Sequence, residues 1–394
     1  MPREYSPFTP GVPVPIDFFV GRNEEVGLLK RKIEAAVNTG RIQLGYLSGE
    51  RGIGKSSVAS YVRRGVEARM SVLGLHAFLG GVGTLEEMVR RIFERLLKAS
   101  LDEPWHQKIV NFFGNRVRKV GLFGLSLEFE ASRKDLSQLV HDFGPALRRL
   151  LNELEGEKDG LFLILDDING LALKEEFAHW LKSLIDEIAV SSARFPICIV
   201  LVGLDEKRLS LIGLNSSLAR YFDTIEVKAW SREEAREFFR KTFSKVGIDV
   251  QEEAADWMAS FSGGLPMLGH EIGEAVFNAD DDSHIGIEDA IIGIRDAAEI
   301  VGRKHLEPAV FDAIRSERYR AILRKAAFSF EFQRKNIKDR LNDRETKVLD
   351  NFLRKMLELG VLLRVPEKGT GYYRFRNQLH YMYFAMEARR EAEE

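Results

Sequence analysis

The sequence predicts an α/β fold: a five-stranded parallel sheet flanked by helices, then a helical domain and a small helix-and-hairpin domain. Three observations predict it. Apolar runs of β type alternate with helical patterns from Phe18 onward, as in sheets wrapped by crossover helices. A glycine-rich segment, SGERGIGKSS (48–57), joins the first such run to a helical stretch. After the fifth run the pattern turns helical and ends in strand, turn and strand. The 394 residues, 45% hydrophobic and 30% charged, exceed one ordinary core and imply two or three domains.

The elements follow in order. Residues 1–17 hold five of the eleven prolines and read as an extended arm. The core domain spans 18–229, with strands expected at IQLGYLS (42–48), VLGLHAF (72–78), LFLILD (161–166), ICIVLVG (197–203) and DTIEVKA (223–229). Between the second and third lies an insert, 84–158, too long for a simple crossover. It reads as a helix over 84–100, a β-like hairpin or excursion over 120–130, and a long amphipathic helix from Asp135 to Glu155. Ser231, with Glu234 three residues on, has the capping-box spacing that starts a helix. Helices then fill a lid domain over 230–305. Over 306–394, YRAILRKAAFS, KNIKDRL and ETKVLDNFLRKMLELG are helical and GVLLRVPEKGTGYYRFR is a hairpin, the outline of a winged helix.

Composition excludes several classes. No run of about 18 apolar residues is present and the N-terminus lacks a signal-peptide core, so a cytoplasmic protein without a membrane partner is expected. The single cysteine, Cys198, sits in an apolar run, which excludes an internal disulfide and any multi-cysteine metal site. Net charge is -2, yet residues 303–376 carry 19 Lys and Arg against 10 Asp and Glu. Such an excess attracts nucleic acid, or is simply a solvated face.

Gly49, Gly54, Lys55 and Ser56 match G-x-x-x-x-G-K-[ST]. In that pattern the backbone amides of Gly49, Gly52, Ile53, Gly54, Lys55, Ser56 and Ser57 wrap phosphates, the lysine reaches the outer oxygens and Ser56 ligates Mg²⁺. The alternative is a glycine-rich turn. Its place between a strand and a helix N-terminus favours the anion site. A hydrolase of this kind needs a second motif, an apolar strand ending in acid, and LFLILDDIN supplies it. Asp166 is placed to support Mg²⁺ and Asp167 to polarise the attacking water. The alternative is a pair of turn residues. Together the motifs predict a P-loop NTPase that binds ATP with Mg²⁺ and hydrolyses it, with Lys55 and Asp167 in catalysis.

FFVGRNEEVGLLKRKI (18–33) resembles the F-x-G-R-x-x-E box of AAA+ initiators of the origin-recognition type and of the related STAND ATPases. The resemblance implies that Val20, Gly21 and Arg22 border the adenine or the phosphate region. NSSLARYFDTIEVKAW resembles the segment in which an arginine precedes the fifth strand, and implies that Arg220 acts in trans as an arginine finger; capping its own helix or pairing with a carboxylate is the other reading. FSGGLPMLGHEIGEAV is similar to the lid motif with Gly-x-Pro, and implies that Pro266 packs on adenine as in the STAND group. Gly203-Leu204-Asp205 departs from the family by lacking an arginine, which leaves Asp205 as the nearest polar candidate for a γ-phosphate sensor.

Two functions fit these residues. One is an ATP/ADP-dependent switch whose lid and C-terminal domain control homo-oligomerisation or a partner protein. The other is a DNA-binding ATPase of the initiator or transposition-regulator kind, contacting duplex DNA through the winged helix, with Lys347, Arg354 and Lys355 facing outward. Tyr372, Tyr373 and Phe375 either stack on bases or fill the hairpin core.

Overall fold

Five apolar runs form one parallel sheet in the computed structural model, which describes residues 5–12, 15–120, 126–190 and 193–393. The chain divides into two units, Arg22–Lys228, and Met1–Gly21 together with Ala229–Glu394. The predicted lid and C-terminal domain therefore fall in one unit.

In the first unit the order is α1 (Asn23–Thr39), β1 (Gln43–Ser48), α2 (Lys55–Arg69), β2 (Val72–Phe78), α3 (Leu85–Ser100), α4 (His106–Phe113), β3 (Val117–Val120), β4 (Ser126–Phe129), α5 (Arg133–His141), α6 (Phe143–Glu153), β5 (Gly160–Asp166), α7 (Glu175–Val190), β6 (Ile197–Val202), α8 (Asp205–Leu214) and β7 (Asp223–Glu226). The sheet order is β2-β5-β6-β1-β7 and all pairings are parallel. Every residue of β5 and β6 is buried, because helices cover both faces; that is why these strands read as unbroken apolar runs. Cys198 lies inside β6 and burial pushes its thiol up to about 12, so it is inert. The connections leaving β1 and β6 run in opposite directions along the sheet, which opens a crevice at the C-terminal ends of these two strands.

The insert differs from its expectation. The helix expected from Asp135 to Glu155 is two helices broken at Asp142. Pro145 explains the break: it has no N–H for the carbonyl four residues earlier and its ring collides there. Helix α4 was not expected. The β-like piece is an antiparallel hairpin, β3 with β4, that pairs Val117 with Phe129; residues 121–125 of that stretch lie outside the described residues. The fifth core strand ends at Glu226 rather than at 229.

The second unit contains α9 (Arg232–Ser244), β8 (Asp249–Val250), α10 (Glu252–Ser262), α11 (Pro266–Ala279), β9 (His284–Ile285), α12 (Ile287–Val301), a wider π-helical turn over Gly302–Phe311, α13 (Glu317–Ala326), β10 (Glu331–Gln333), α14 (Arg334–Lys338), α15 (Asp343–Thr346), α16 (Leu349–Glu358), β11 (Leu362–Arg364), β12 (Tyr372–Phe375) and α17 (Gln378–Glu393). The Ser231–Glu234 capping box forms with both of its hydrogen bonds. Near the C-terminus the expected third helix is split into α15 and α16, and the expected hairpin gains a third strand in the order β10-β12-β11. Helix α17 was not expected; it buries Leu379, Tyr383 and Phe384 in this unit's core. Phe375 is fully buried, so it packs in the core and does not stack on bases. Tyr373 stacks on Phe332.

The described part of the proline-rich arm is not free. Phe8 sits edge-on to Phe238 and Phe243, and a side chain at Gly273 would collide with its ring. The Thr9 amide donates to His270 Nδ1 at 3.1 Å. Residues 1–4 and 13–14 of the arm lie outside the described residues.

Burial pushes His270 from 6.5 down to about 4. The folded chain therefore refuses a proton that the unfolded chain takes up below pH 6.5. The stabilisation is complete above that pH and is lost as the pH falls toward 4, by about 3 kcal/mol. Resistance of the chain to urea, followed by tryptophan fluorescence, is expected to fall across that window, and His270→Gln is expected to remove part of the dependence, the rest being that of His380, which burial also pushes down to about 4.

Candidate functional site

The loop after β1 is shaped by where side chains cannot go. Gly49, Gly52 and Gly54 have φ of 149°, 77° and 93°. A Cβ on Gly49 would lie 2.7 Å from the Val227 carbonyl oxygen and 3.0 Å from Ile53 Cγ2. Such backbone is open to glycine and strained for other residues. Gly54 precedes α2, whose first turn carries Lys55, Ser56 and Ser57 half-buried. The Lys55 Nζ donates to the carbonyls of Gly49 at 2.9 Å and Glu50 at 2.8 Å, so the loop curls around the ammonium. Burial lowers the Lys55 pKa, while Asp166 and Asp167 act against that shift. The P-loop lysine and the two aspartates expected from sequence thus share one electrostatic neighbourhood.

Asp166 ends β5 and is 3% exposed. Its Oδ2 lies 2.7 Å from Nε2 of His76 on β2, and its carbonyl accepts from the Leu79 amide at 2.7 Å. Its Oδ1 has no hydrogen-bond partner among the described residues. Asp167 is exposed, in the left-handed region at φ 57°, and accepts a hydrogen bond from the Asn169 amide. Asn169 Oδ1 in turn accepts from the Leu204 amide at 3.2 Å, tying the acidic pair to the end of β6. Sequence reasoning singled out neither His76 nor Asn169. The available signals were slight: His76 is the one polar side chain in its apolar run, and Asn169 follows the acidic pair by two positions.

The missing arginine after β6 has a steric reason. A side chain at Gly203 would come within 2.5 Å of the Tyr46 hydroxyl, which donates to the Leu204 carbonyl at 2.9 Å. Asp205, the polar candidate there, accepts from Arg208 Nε at 2.7 Å within its own helix. Arg22 is buried, in the left-handed region before α1, and its guanidinium donates to the Ile53 carbonyl at 3.1 Å and to the Lys228 carbonyl. It braces the glycine-rich loop from behind. Arg220 is exposed, makes no ion pair among the described residues and lies against the Tyr221 ring. Val20, Gly21 and Pro266 belong to the other unit. There Val20 is in the core, Gly21 has a positive φ with no room for a side chain beside Glu234, and Pro266 opens α11.

The donor set suits a small hard cation. Ser56 offers a hydroxyl and Asp166 a carboxylate, the oxygen ligands Mg²⁺ takes beside phosphate. A nearly buried carboxylate with one oxygen unpartnered is a group that a cation or its water shell would satisfy.

Residues 19–200 match the family model described as AAA ATPase domain. Solved structures share the fold. A Walker-type ATPase of Pyrococcus abyssi is 17% identical over 93% of this chain and 96% of its own, with a TM-score of 0.55. The ORC2 protein of Aeropyrum pernix, in ADPNP–ADP complexes, is 11% identical over 100% of this chain and 98% of its own, with a TM-score of 0.59. Its ADP form is 14% identical over 99% and 97%, with a TM-score of 0.51. No curated protein sequence matches the chain. Among the described residues no helix is long and apolar enough to cross a membrane.

Gly49→Ala is expected to lower the unfolding free energy of the ligand-free protein by about 2 kcal/mol or more, since both φ and the Val227 carbonyl oppose a side chain. Chemical denaturation of the two proteins side by side checks this.

Proposed function

We propose, from the match of residues 19–200 to the AAA ATPase domain model, that the chain binds ATP with Mg²⁺ and hydrolyses it, and that the bound nucleotide acts as a switch. One observation carries the reading: Lys55 sits in the curl of the glycine loop, in the field of Asp166 and Asp167, at the crevice where the connections leave β1 and β6 in opposite directions. Phosphate oxygens would take the ammonium from the Gly49 and Glu50 carbonyls and gather the amides of residues 49–57. Ser56 and Asp166 would hold Mg²⁺, which when bound neutralises charge developing on the phosphates. Asp167 would orient the attacking water and accept its proton, with Asn169 setting its rotamer. Arg22 would keep the loop in register. Arg220, exposed and without an ion pair among the described residues, would serve a neighbouring subunit in an oligomer.

The nucleotide state would then be read by the lid and C-terminal domain, the latter a winged helix, as a change in oligomerisation or partner recruitment. Duplex DNA is the second reading, supported by the positive excess over 303–376 and by exposed Lys347 and Arg354. Several of those cations are already paired internally, Arg334 with Asp350, Lys325 with Glu345, Lys368 with Glu331, and this favours the switch. Duplex binding that strengthens steeply as salt falls and tightens with ATP would reverse the preference.

Lys55→Ala is expected to abolish binding of a fluorescent ATP analogue. Asp167→Asn is expected to leave that binding within about threefold while turnover falls by about a hundredfold or more, measured as phosphate release. Full turnover in Asp167→Asn removes its role; tight binding by Lys55→Ala removes the site.

A further inference from the structure

The strand register places a histidine where the proposed magnesium ligand can be fixed from the side. Val72 to Phe78 of β2 pair with Gly160 to Asp166 of β5, so Phe78 stands opposite Asp166 and His76 opposite Ile164. His76, Phe78 and Asp166 share one face of the sheet, because positions two apart on a strand point the same way. From there His76 reaches diagonally to Asp166, with Nε2 2.7 Å from Oδ2. The imidazole is 2% exposed and stacks on the Phe78 ring at 4.2 Å with an interplanar angle of 22°. The Phe78 carbonyl is itself held by Arg91 Nη1 at 2.8 Å. The imidazole therefore sits on an ordered strand end and meets the carboxylate from one side only.

We propose that His76 is a positioning residue for magnesium: it holds Asp166 by Oδ2 and leaves Oδ1 as the oxygen offered to the metal site. This rests on the reading of residues 49–57 and Asp166 as a Mg²⁺–nucleotide site. A buried carboxylate without a fixed donor rotates or recruits another partner, and losing the group that orients a metal ligand commonly weakens the metal by 10- to 100-fold. Phosphate capture by the loop does not pass through Asp166, so nucleotide affinity without metal is independent of His76.

The test uses the full chain with ADP and Mn²⁺ as probes. His76→Gln carries an amide N–H at the reach of Nε2, whereas His76→Asn carries one that stops short of Asp166. Both are neutral and polar, and ADP affinity in EDTA reports whether each variant keeps its fold. Mn²⁺ affinity of the ADP complex is read by electron paramagnetic resonance. His76→Asn is expected to bind ADP in EDTA like the parent but to bind Mn²⁺ about tenfold or more weakly, with His76→Gln within about threefold of the parent. In an Asp166→Asn background, His76→Asn is expected to add no further loss. Unchanged Mn²⁺ affinity in His76→Asn overturns the proposal, as does equal loss in both variants or a further loss in the Asp166→Asn background. A parent chain that binds no ADP at all fails the nucleotide reading itself, and this inference falls with it.

Discussion

A lysine ammonium held at the mouth of a buried parallel sheet is the constraint on which the rest of this chain depends. Burial works against the charge of Lys55, and the two carboxylates of Asp166 and Asp167 work in its favour. An ammonium in this position needs acceptors on one side and anions on the other. The chain supplies the acceptors by turning the backbone through Gly49, Gly52 and Gly54 so that two carbonyls point inward. It supplies the anions by ending β5 on an acidic pair.

The sheet order makes that convergence possible. Strand β6 lies between β1 and β5, so the lysine loop and the acidic pair are one strand apart, and the end of β6 lies between them. There Tyr46 and Asn169 hold the Leu204 peptide from both sides, by its carbonyl and by its amide. The lack of a side chain at Gly203 is thus a consequence of packing, since the Tyr46 hydroxyl fills that space. Any sensing of the terminal phosphate at this edge would pass through the backbone of residues 203–204 or through Asn169, as Asp205 is engaged by Arg208.

Much of this was legible in the sequence, for identifiable reasons. Strands buried on both faces are unbroken apolar runs, so β2, β5 and β6 were expected within a residue of where they lie. The loop and acidic pair were legible because their chemistry fixes residue types at fixed spacing. The break at Asp142 was written in Pro145 but overridden by the apolar periodicity on either side. Strand β10 is three residues long and depends on pairing with β12, which no local pattern announces. In α17 the aromatics Tyr381, Tyr383 and Phe384 suit strand as well as helix, so composition decides nothing there. His76 and Asn169 were missed because their significance lies in what another strand or turn brings to them.

The central claim is that the glycine loop and Asp166 form one metal–nucleotide site. Anomalous diffraction from crystals grown with a non-hydrolysable ATP analogue and Mn²⁺ tests it most directly. The account predicts analogue phosphates within the loop of residues 49–57 and a manganese peak at the Ser56 hydroxyl, on the side facing Asp166. An analogue bound elsewhere, or a metal remote from Ser56 and Asp166, would contradict it.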